Sequence, residues 1–256
     1  LLELKRKVLM KRILLIIAVL LFCAPSYALE IAVGPTYQDL DLSGTVKADG
    51  GTEIDVENDL GLDNDKPVGV NLHLGMGKHN FDFNLAQLEF SGTKTLARTV
   101  TFYNQTFNVN TSVESTVEYD LYEAQYSYKL LEIGKEDMLK VSLSPLFKVS
   151  IYDASVELKS TGVNASYSKT LPIPTLGALG EIDFTRYLSL LGQVSAIGYS
   201  GDSYLEYKTV LRLKPVKYLN FDVGYKGTSI KFSESNNFID IDAKGLYLEG
   251  AFVYKF

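Results

Sequence analysis

The stretch Gly245 to Phe256, GLYLEGAFVYKF, decides the fold. From Leu246 onward every second residue is aliphatic, aromatic or glycine, whereas the positions between them include the charged Glu249 and Lys255. A period of two is the pattern of a β-strand with two unlike faces. The apolar face continues to Phe256, as we expect of a strand whose outer side contacts lipid instead of water.

Residues 1–28 have the pattern of a cleaved export signal. Five basic residues precede an apolar run from Ile13 to Cys23, and the sequence SYA ending at Ala28 fits a cleavage site. The apolar run of 11 residues is shorter than the roughly 20 that a membrane-spanning helix needs. We therefore expect export through the Sec pathway and a mature chain, residues 29–256, that forms one domain.

Composition excludes several classes of protein for the mature chain. Cys23 is the single cysteine and lies within the expected signal, which excludes disulfides and thiolate metal sites. Loss of five basic residues and one acidic residue with the signal removes a charge of +4, which changes the net charge from −6 to −10. An acidic chain is a poor partner for nucleic acid, and we expect no cofactor.

Alternation continues through the mature chain and predicts ten antiparallel strands. The expected strands are 30–43, 68–76, a third from 81, 116–130, 139–151, 175–184, 187–199, 204–213, 218–231 and a tenth ending at 256. Short turns are expected at 77–80, 134–137, 185–186 and 214–217. Transmembrane barrels keep short turns on one side, so four such turns, together with both termini on that side, fit ten strands.

The expected fold is an all-β, closed, antiparallel up-and-down transmembrane β-barrel. Lipid cannot hydrogen-bond the backbone, so a membrane-spanning sheet must close on itself. Eight strands are the alternative if the first or the fifth predicted strand is misassigned. Pro145 weakens the fifth strand, since proline lacks an N–H for the ladder and fits a strand at an edge or a bulge.

Longer connections are expected at the opposite end of the barrel, at 44–67, 94–113, 155–174, 200–203 and 233–240. We expect 155–174 and 233–240 to be polar loops. The stretch 94–113 is predicted to be a protruding hairpin that continues the third and fourth strands.

The first of these connections contains an acidic stretch that is a possible divalent-cation loop. Its carboxylates are Asp55, Glu57, Asp59, Asp63 and Asp65. Spacing at 55, 57 and 59 is typical of a calcium loop, but the EF-hand needs glycine and glutamate where this chain has Leu60 and Lys66. We expect a solvated or rim-facing loop that Ca²⁺ or Mg²⁺ could bridge to lipopolysaccharide phosphates, with a looser divalent-cation site as the alternative.

Ten charged side chains are predicted to face the lumen. They are Glu123, Lys140, Lys148, Glu181, Glu206, Lys208, Arg212, Asp222, Lys226 and Glu249. A pore selective for one sign of ion would show a biased ring, whereas mixed signs predict salt bridges that plug the interior. Ten strands leave at most a narrow path, so a narrow passive channel is the alternative function.

The histidines give little support to an enzyme. They are His73, inward on a strand without an obvious Ser or Asp partner, and His79, in a predicted turn. A lone strand histidine is more often a hydrogen-bonding group than a base. We expect a non-catalytic protein with a structural or surface-interaction role.

Several stretches together carry a resemblance to a known family. They are IDVENDLGLDND at 54–65, TLARTVTFYNQTFNV at 95–109, YDLYEAQYSYKLL at 119–131, LPIPTLGALGEI at 171–182, and the closing strand with Phe252, Tyr254 and Phe256. The mature chain resembles a family of small Gram-negative outer-membrane β-barrels with no assigned function. The resemblance implies an outer-membrane location, contact with lipid and lipopolysaccharide, and insertion by the barrel-assembly machinery, which reads such a closing strand. It transfers no site residues.

Overall fold

The computed structural model describes residues 29–48, 51–64, 68–134, 139–234 and 237–256. The expected signal lies outside the described residues, as do Asp65 and most of the turn predicted at 134–137. No helix in the described ranges is long and apolar enough to cross a membrane.

Ten long strands form one closed antiparallel ring within the described residues. They are β1 Leu29–Lys47, β2 Val68–Met76, β3 His79–Thr95, β4 Ser112–Tyr128, β5 Lys140–Ser160, β6 Val163–Thr185, β7 Leu188–Tyr199, β8 Asp202–Val216, β9 Leu219–Glu234 and β10 Asn237–Lys255. Each strand pairs with the next, and β10 pairs with β1. The prediction of a closed up-and-down barrel of ten strands, not eight, is confirmed.

The seam between β1 and β10 closes the ring. Its pairs run from Glu30 with Lys255 to Lys47 with Phe238. Gly34 lies on this seam, where a Cβ atom would come within 1.7 Å of the Gly250 carbonyl oxygen. The close approach of the two backbones there therefore depends on glycine.

Side chains on the outside of the ring form an apolar belt. Its exposed members include Val33, Val70, Leu85, Val141, Leu143, Phe147, Val194, Leu205, Leu211, Val223, Leu246 and Phe252. The positions between them face the lumen, and many are polar and buried, such as Gln38, Ser144, Lys148 and Glu206. This arrangement reverses that of a water-soluble barrel, and it is how transmembrane barrels place apolar groups against lipid.

Pro145 on β5 lies at a bulge. β5 pairs with the short strand Leu131–Gly134 as far as Leu143 opposite Leu131, and with β4 from Leu146 opposite Ser127. Two residues of β5 therefore face three residues of the partner, and the extra residue is the mark of a bulge. The missing N–H of Pro145 costs no regular ladder bond at this position.

Within the described residues, two segments predicted as polar loops are mostly strand, and 235–236 of the second lie outside those residues. β5 and β6 stay paired up to Ser160 opposite Val163, and β9 and β10 up to Glu234 opposite Asn237. A tilted strand needs about 9–11 residues to cross a membrane, so both hairpins extend beyond it into water. The predictions for 155–174 and 233–240 are wrong because strands in water need no apolar outer face.

Residues 51–64 and 96–111 fold into the barrel end opposite the termini, and we call these two segments the outer plug. Eight of their side chains are buried: Ile54, Val56, Leu60, Leu62, Leu96, Val100, Phe102 and Phe107. They pack in one apolar cluster with inward residues of the ring such as Leu88, Phe90 and Leu158. The hairpin predicted at 94–113 is confirmed, with arms Val100–Phe102 and Gln105–Phe107, but it does not protrude, since burial of its apolar side chains draws it inward. The acidic loop keeps Glu53, Glu57 and Asp63 exposed while its apolar side chains are buried.

Hydrogen bonds join the two segments of the outer plug. Arg98 Nη2 donates to Asp59 Oδ2 and to the Glu53 carbonyl oxygen, each at 2.6 Å. The Thr52 and Thr101 backbones are also linked, from the Thr52 amide to the Thr101 carbonyl at 2.9 Å. The plug is therefore one packed unit.

Candidate functional site: the charged lumen

A cavity of about 850 Å³ occupies the lumen between the outer plug and the barrel end that carries both termini. The ten charged residues predicted to face the lumen all line it: Glu123, Lys140, Lys148, Glu181, Glu206, Lys208, Arg212, Asp222, Lys226 and Glu249. Alternation along each strand places them there, because their neighbours in sequence face outward.

A layer of buried ion pairs crosses the lumen at the end of the cavity next to the outer plug. Lys148 Nζ on β5 lies 3.0 Å from Glu123 Oε1 on β4 and 2.5 Å from Glu206 Oε1 on β8. Lys226 Nζ on β9 lies 3.6 Å from Glu123 Oε2, on the opposite side of the ring. We call these four residues the central charge layer. Their contacts span the lumen from wall to wall.

Further hydrogen bonds hold the carboxylates of the central charge layer. Asn84 Nδ2 donates to Glu123 Oε2 at 2.8 Å, and Ser150 Oγ donates to Glu123 Oε1 at 3.2 Å. Buried charge is tolerated when it is paired and its remaining acceptor sites are satisfied. This layer meets both conditions.

Tyrosines connect the central charge layer to the outer plug. Tyr204 OH donates to Glu206 Oε2 at 2.8 Å and lies 2.9 Å from Tyr152 OH. Both tyrosines belong to the apolar cluster that includes the plug. The lumen therefore changes from charged to apolar across a single pair of tyrosines.

The remaining predicted residues lie closer to the termini. Arg212 forms a bidentate pair with Asp222, with both N···O distances 2.7 Å. Lys140 and Lys214 lie 3.6 Å and 2.9 Å from Asp183. Further contacts include Lys214 with Glu181 at 3.6 Å, Tyr247 OH with Glu249 at 2.6 Å, and Lys208 Nζ at 4.8 Å from the Tyr247 ring centroid. Opposite charges thus meet at most of the predicted lumen residues, whereas the described contacts of Lys208 and Glu249 are with uncharged groups.

Sequence analysis missed the partner of His73. His73 Nδ1 lies 2.8 Å from Asp82 Oδ1, so the expectation that no Asp was near is wrong. The turn after β2 sets this pairing, since it places His73 directly opposite Asp82. Nucleophilic catalysis would also need a hydroxyl or thiol about 2.6–3.2 Å from the imidazole, and the described hydrogen bond of His73 goes to Asp82.

The carboxylates of the acidic stretch have different hydrogen-bond partners. Asp55 Oδ1 accepts from the Glu57 and Asn58 amides and caps the helical turn Val56–Leu60, while Asp59 accepts from Arg98. In the parts of the chain that the structure describes, no group of three or more His, Cys, Asp or Glu side chains could hold a metal ion. Asp65 of the proposed cation loop lies outside those parts.

Replacing Asp55 with alanine should loosen the plug locally. Loss of a helix cap costs about 1 kcal/mol, so exchange of the Glu57 and Asn58 amides should speed up about fivefold. Hydrogen bonds from the Asn58 side chain and backbone lower the pKa of the Asp55 carboxyl from its ordinary value. The cap should therefore hold above about pH 4 and weaken as pH falls through that lowered pKa.

Hydrogen exchange on the refolded mature chain measures this effect. The matched control is Asp55→Asn, which still caps but does not titrate. Exchange that is unchanged in the alanine variant would show that the capped turn does not form.

Comparison with solved structures finds outer-membrane proteins with low TM-scores. No protein-family model and no curated protein matches the chain. The chain is similar to Ail, the attachment invasion locus protein of Yersinia pestis, at 14% identity and a TM-score of 0.36, over 90% of this chain and 100% of that one. The chain is also similar to the outer membrane protease OmpT from Escherichia coli, at 9% identity and a TM-score of 0.45, over 91% of this chain and 97% of that one. It is similar to the translocator domain of the autotransporter NalP from Neisseria meningitidis at 8% identity and a TM-score of 0.30, over 97% of this chain and 95% of that one.

Proposed function

We propose that this chain is a non-catalytic outer-membrane β-barrel, closed to passive flow, with a structural or surface-interaction role. The apolar belt supports a membrane location, because a closed ring of strands with an apolar outside satisfies every backbone group within lipid. Its partners in that location are outer-membrane lipid and lipopolysaccharide. The closing strand, with Phe252, Tyr254 and Phe256 exposed on its outer face, is proposed to engage the barrel-assembly machinery.

The main support for a lumen closed to ions is the central charge layer beneath the outer plug. Lys148 is 2% exposed and lies between carboxylates on two different walls of the lumen. An ion crossing the barrel would have to break these pairs, leave buried charge unpaired and then displace a packed apolar cluster. A lumen whose charges failed to pair would instead favour a channel.

The outer surface supports the interaction role. The β5–β6 hairpin extends beyond the apolar belt and carries exposed charges, including the Lys159–Glu157 pair with an N···O distance of 2.7 Å. Tyr103 of the plug packs on Tyr167 of β6 with ring centroids 5.5 Å apart, and Tyr103 is 40% exposed. Exposed aromatic and charged side chains on a fixed support are typical of binding surfaces.

Conductance in a planar bilayer tests closure. The refolded mature chain, residues 29–256, should insert and give no steady openings, and a shift in gel mobility between unboiled and boiled samples would show that it is folded. Reproducible openings from folded protein would overturn the proposal.

A narrow passive channel is the second candidate, and the cavity of about 850 Å³ favours it. Such a channel would need the outer plug to move. A variant that lacks residues 97–110 should still be silent if the central charge layer closes the lumen by itself, and should conduct if the plug is the gate.

A further inference from the structure

The lumen cavity of about 850 Å³ is open at the barrel end that carries the termini. Arg186 and Lys217 line that opening, on the turns that follow β6 and β8, and both are exposed. The other end of the cavity is closed by the central charge layer and the outer plug. The cavity is therefore a blind pocket that a solute enters from one side.

Lys208 on β8 lies deep in this blind pocket. Nine residues separate it from Lys217 at the opening, which is about 30 Å along a strand and on the order of 20 Å of depth at a tilt of about 40°. Among the described residues its contact is the ring of Tyr247, and no hydrogen bond or ion pair of its ammonium is present. Its N–H donors are therefore available to an occupant of the pocket.

A second lysine lies directly opposite Lys208. Lys208 pairs in register with Lys226 on β9, and both side chains line the pocket. Like charges directly opposite one another on a sheet are destabilising. Glu123 lies 3.6 Å from Lys226 but is shared with Lys148, so it leaves Lys208 without a carboxylate in contact.

The carboxylates in the middle of the pocket are held by other groups. Each has a described partner of its own: Asp82 with His73, Asp222 with Arg212, and Glu249 with Asn71 and Tyr247. Within the described residues the pocket is lined by ten basic and eight acidic side chains, although the mature chain as a whole is acidic. An occupant with a charge near −2 would balance this lining.

We propose that the pocket binds a phosphate monoester of a small polar molecule, with its phosphate at Lys208. A phosphate monoester carries a charge of about −1.5 to −2 at pH 7, which matches the excess of basic side chains. Its oxygens accept hydrogen bonds from the Lys208 ammonium and offset the repulsion from Lys226. Arg186 and Lys217, whose described contacts are aromatic rings, attract the anion to the opening. The site does not depend on the role proposed for the outer surface.

Calorimetric titration of the refolded mature chain in a phosphate-free maltoside detergent tests the site. The probe is glycerol 3-phosphate, and the comparison compounds are glycerol and succinate, a dianion without phosphate. Glycerol 3-phosphate should bind at one saturable site per chain, and glycerol should not bind. Lys208→Met should weaken the binding by about tenfold or more, because it removes a charged donor. Succinate bound as tightly as glycerol 3-phosphate would overturn the phosphate site.

Two variants separate the charge at this position from lysine charge in general. Lys231→Met is the matched control, since it removes a lysine of β9 that pairs with Asp240 at 3.0 Å and does not line the pocket. It should leave the affinity unchanged. Lys208→Arg keeps the cation and should retain most of the affinity. Equal affinity in Lys208→Met and the unmodified chain would place the anion elsewhere and overturn the proposal.

Urea unfolding gives a second readout that a purely structural lysine would not reproduce. Without ligand, Lys208→Met should be no less stable than the unmodified chain, because it removes the like charge opposite Lys226. Glycerol 3-phosphate should raise the unfolding midpoint of the unmodified chain and not that of the variant. A Lys208→Met chain that is destabilised or does not fold would show that the barrel itself compensates this cation, which would overturn the site.

Discussion

Replacing Lys148 with methionine should destabilise the folded barrel by about 3–5 kcal/mol, the usual cost of breaking a buried ion pair on one side. The reason is the central charge layer, in which Glu123 and Glu206 both contact the Lys148 ammonium. Without that cation the two buried carboxylates have only Lys226, 3.6 Å from Glu123 Oε2, as a counter-charge, and one negative charge stays uncompensated. Urea unfolding of the refolded chain, followed by far-ultraviolet circular dichroism and gel mobility, measures the loss.

Two controls separate charge from packing in this variant. Lys140→Met removes a more exposed cation, with N···O distances of 3.6 and 3.7 Å, and should cost about 1 kcal/mol or less. The double variant Lys148→Met, Glu206→Gln leaves Lys226 balanced by Glu123 and should recover most of the lost stability. Equal losses for Lys148→Met and Lys140→Met would contradict the layer.

Replacing Phe90 with alanine should cost about 3–5 kcal/mol, as is usual for a buried phenylalanine. Phe90 is 0% exposed and packs in the apolar cluster that holds the outer plug. The space it leaves lies inside the barrel mouth, where neither lipid nor water fills it without cost. Proteolysis within residues 96–111 should become faster, because the plug loses its support.

Phe147→Ala is the matched control for Phe90→Ala. Phe147 is 46% exposed on the apolar belt, so its loss should cost a transfer term of about 1.5–3 kcal/mol without a cavity, because lipid fills the gap. Proteolysis of the plug should stay at the rate of the unmodified chain. Equal proteolysis in the two variants would show that Phe90 does not support the plug.

The part of the fold that alternation could predict is the part in contact with lipid. Along β4 and β5 the outward residues are apolar because lipid requires it, so period two gives the strand and its inward charges together. The predicted lumen residues Lys148 and Glu206 follow from this rule. Their ion pairs do not, because a contact between β5 and β8 depends on the curvature of the ring and not on the sequence of either strand.

Alternation of apolar and polar residues does not predict the structure of the segments that lie outside the lipid. The polar ends of β5 and β6 pair through backbone hydrogen bonds, which place no demand on side-chain polarity. The outer plug did leave a signal, since Ile54, Val56, Leu60 and Leu62 are apolar within an acidic stretch. Leu88 and Phe90, on the inward side of β3, indicate the same apolar interior.

The seam between β1 and β10 has a consequence for how the protein is made. Its two strands lie at opposite ends of the described sequence, with Glu30 beside Lys255. Contacts between residues so far apart form slowly, because the entropy of closing the loop is lost before any contact compensates for it. Until β10 arrives, every partly assembled sheet has two open edges that can pair with other chains. We therefore expect the unfolded chain to need a chaperone in the aqueous compartment. We also expect the barrel to close in one late step, when β10 pairs with β1.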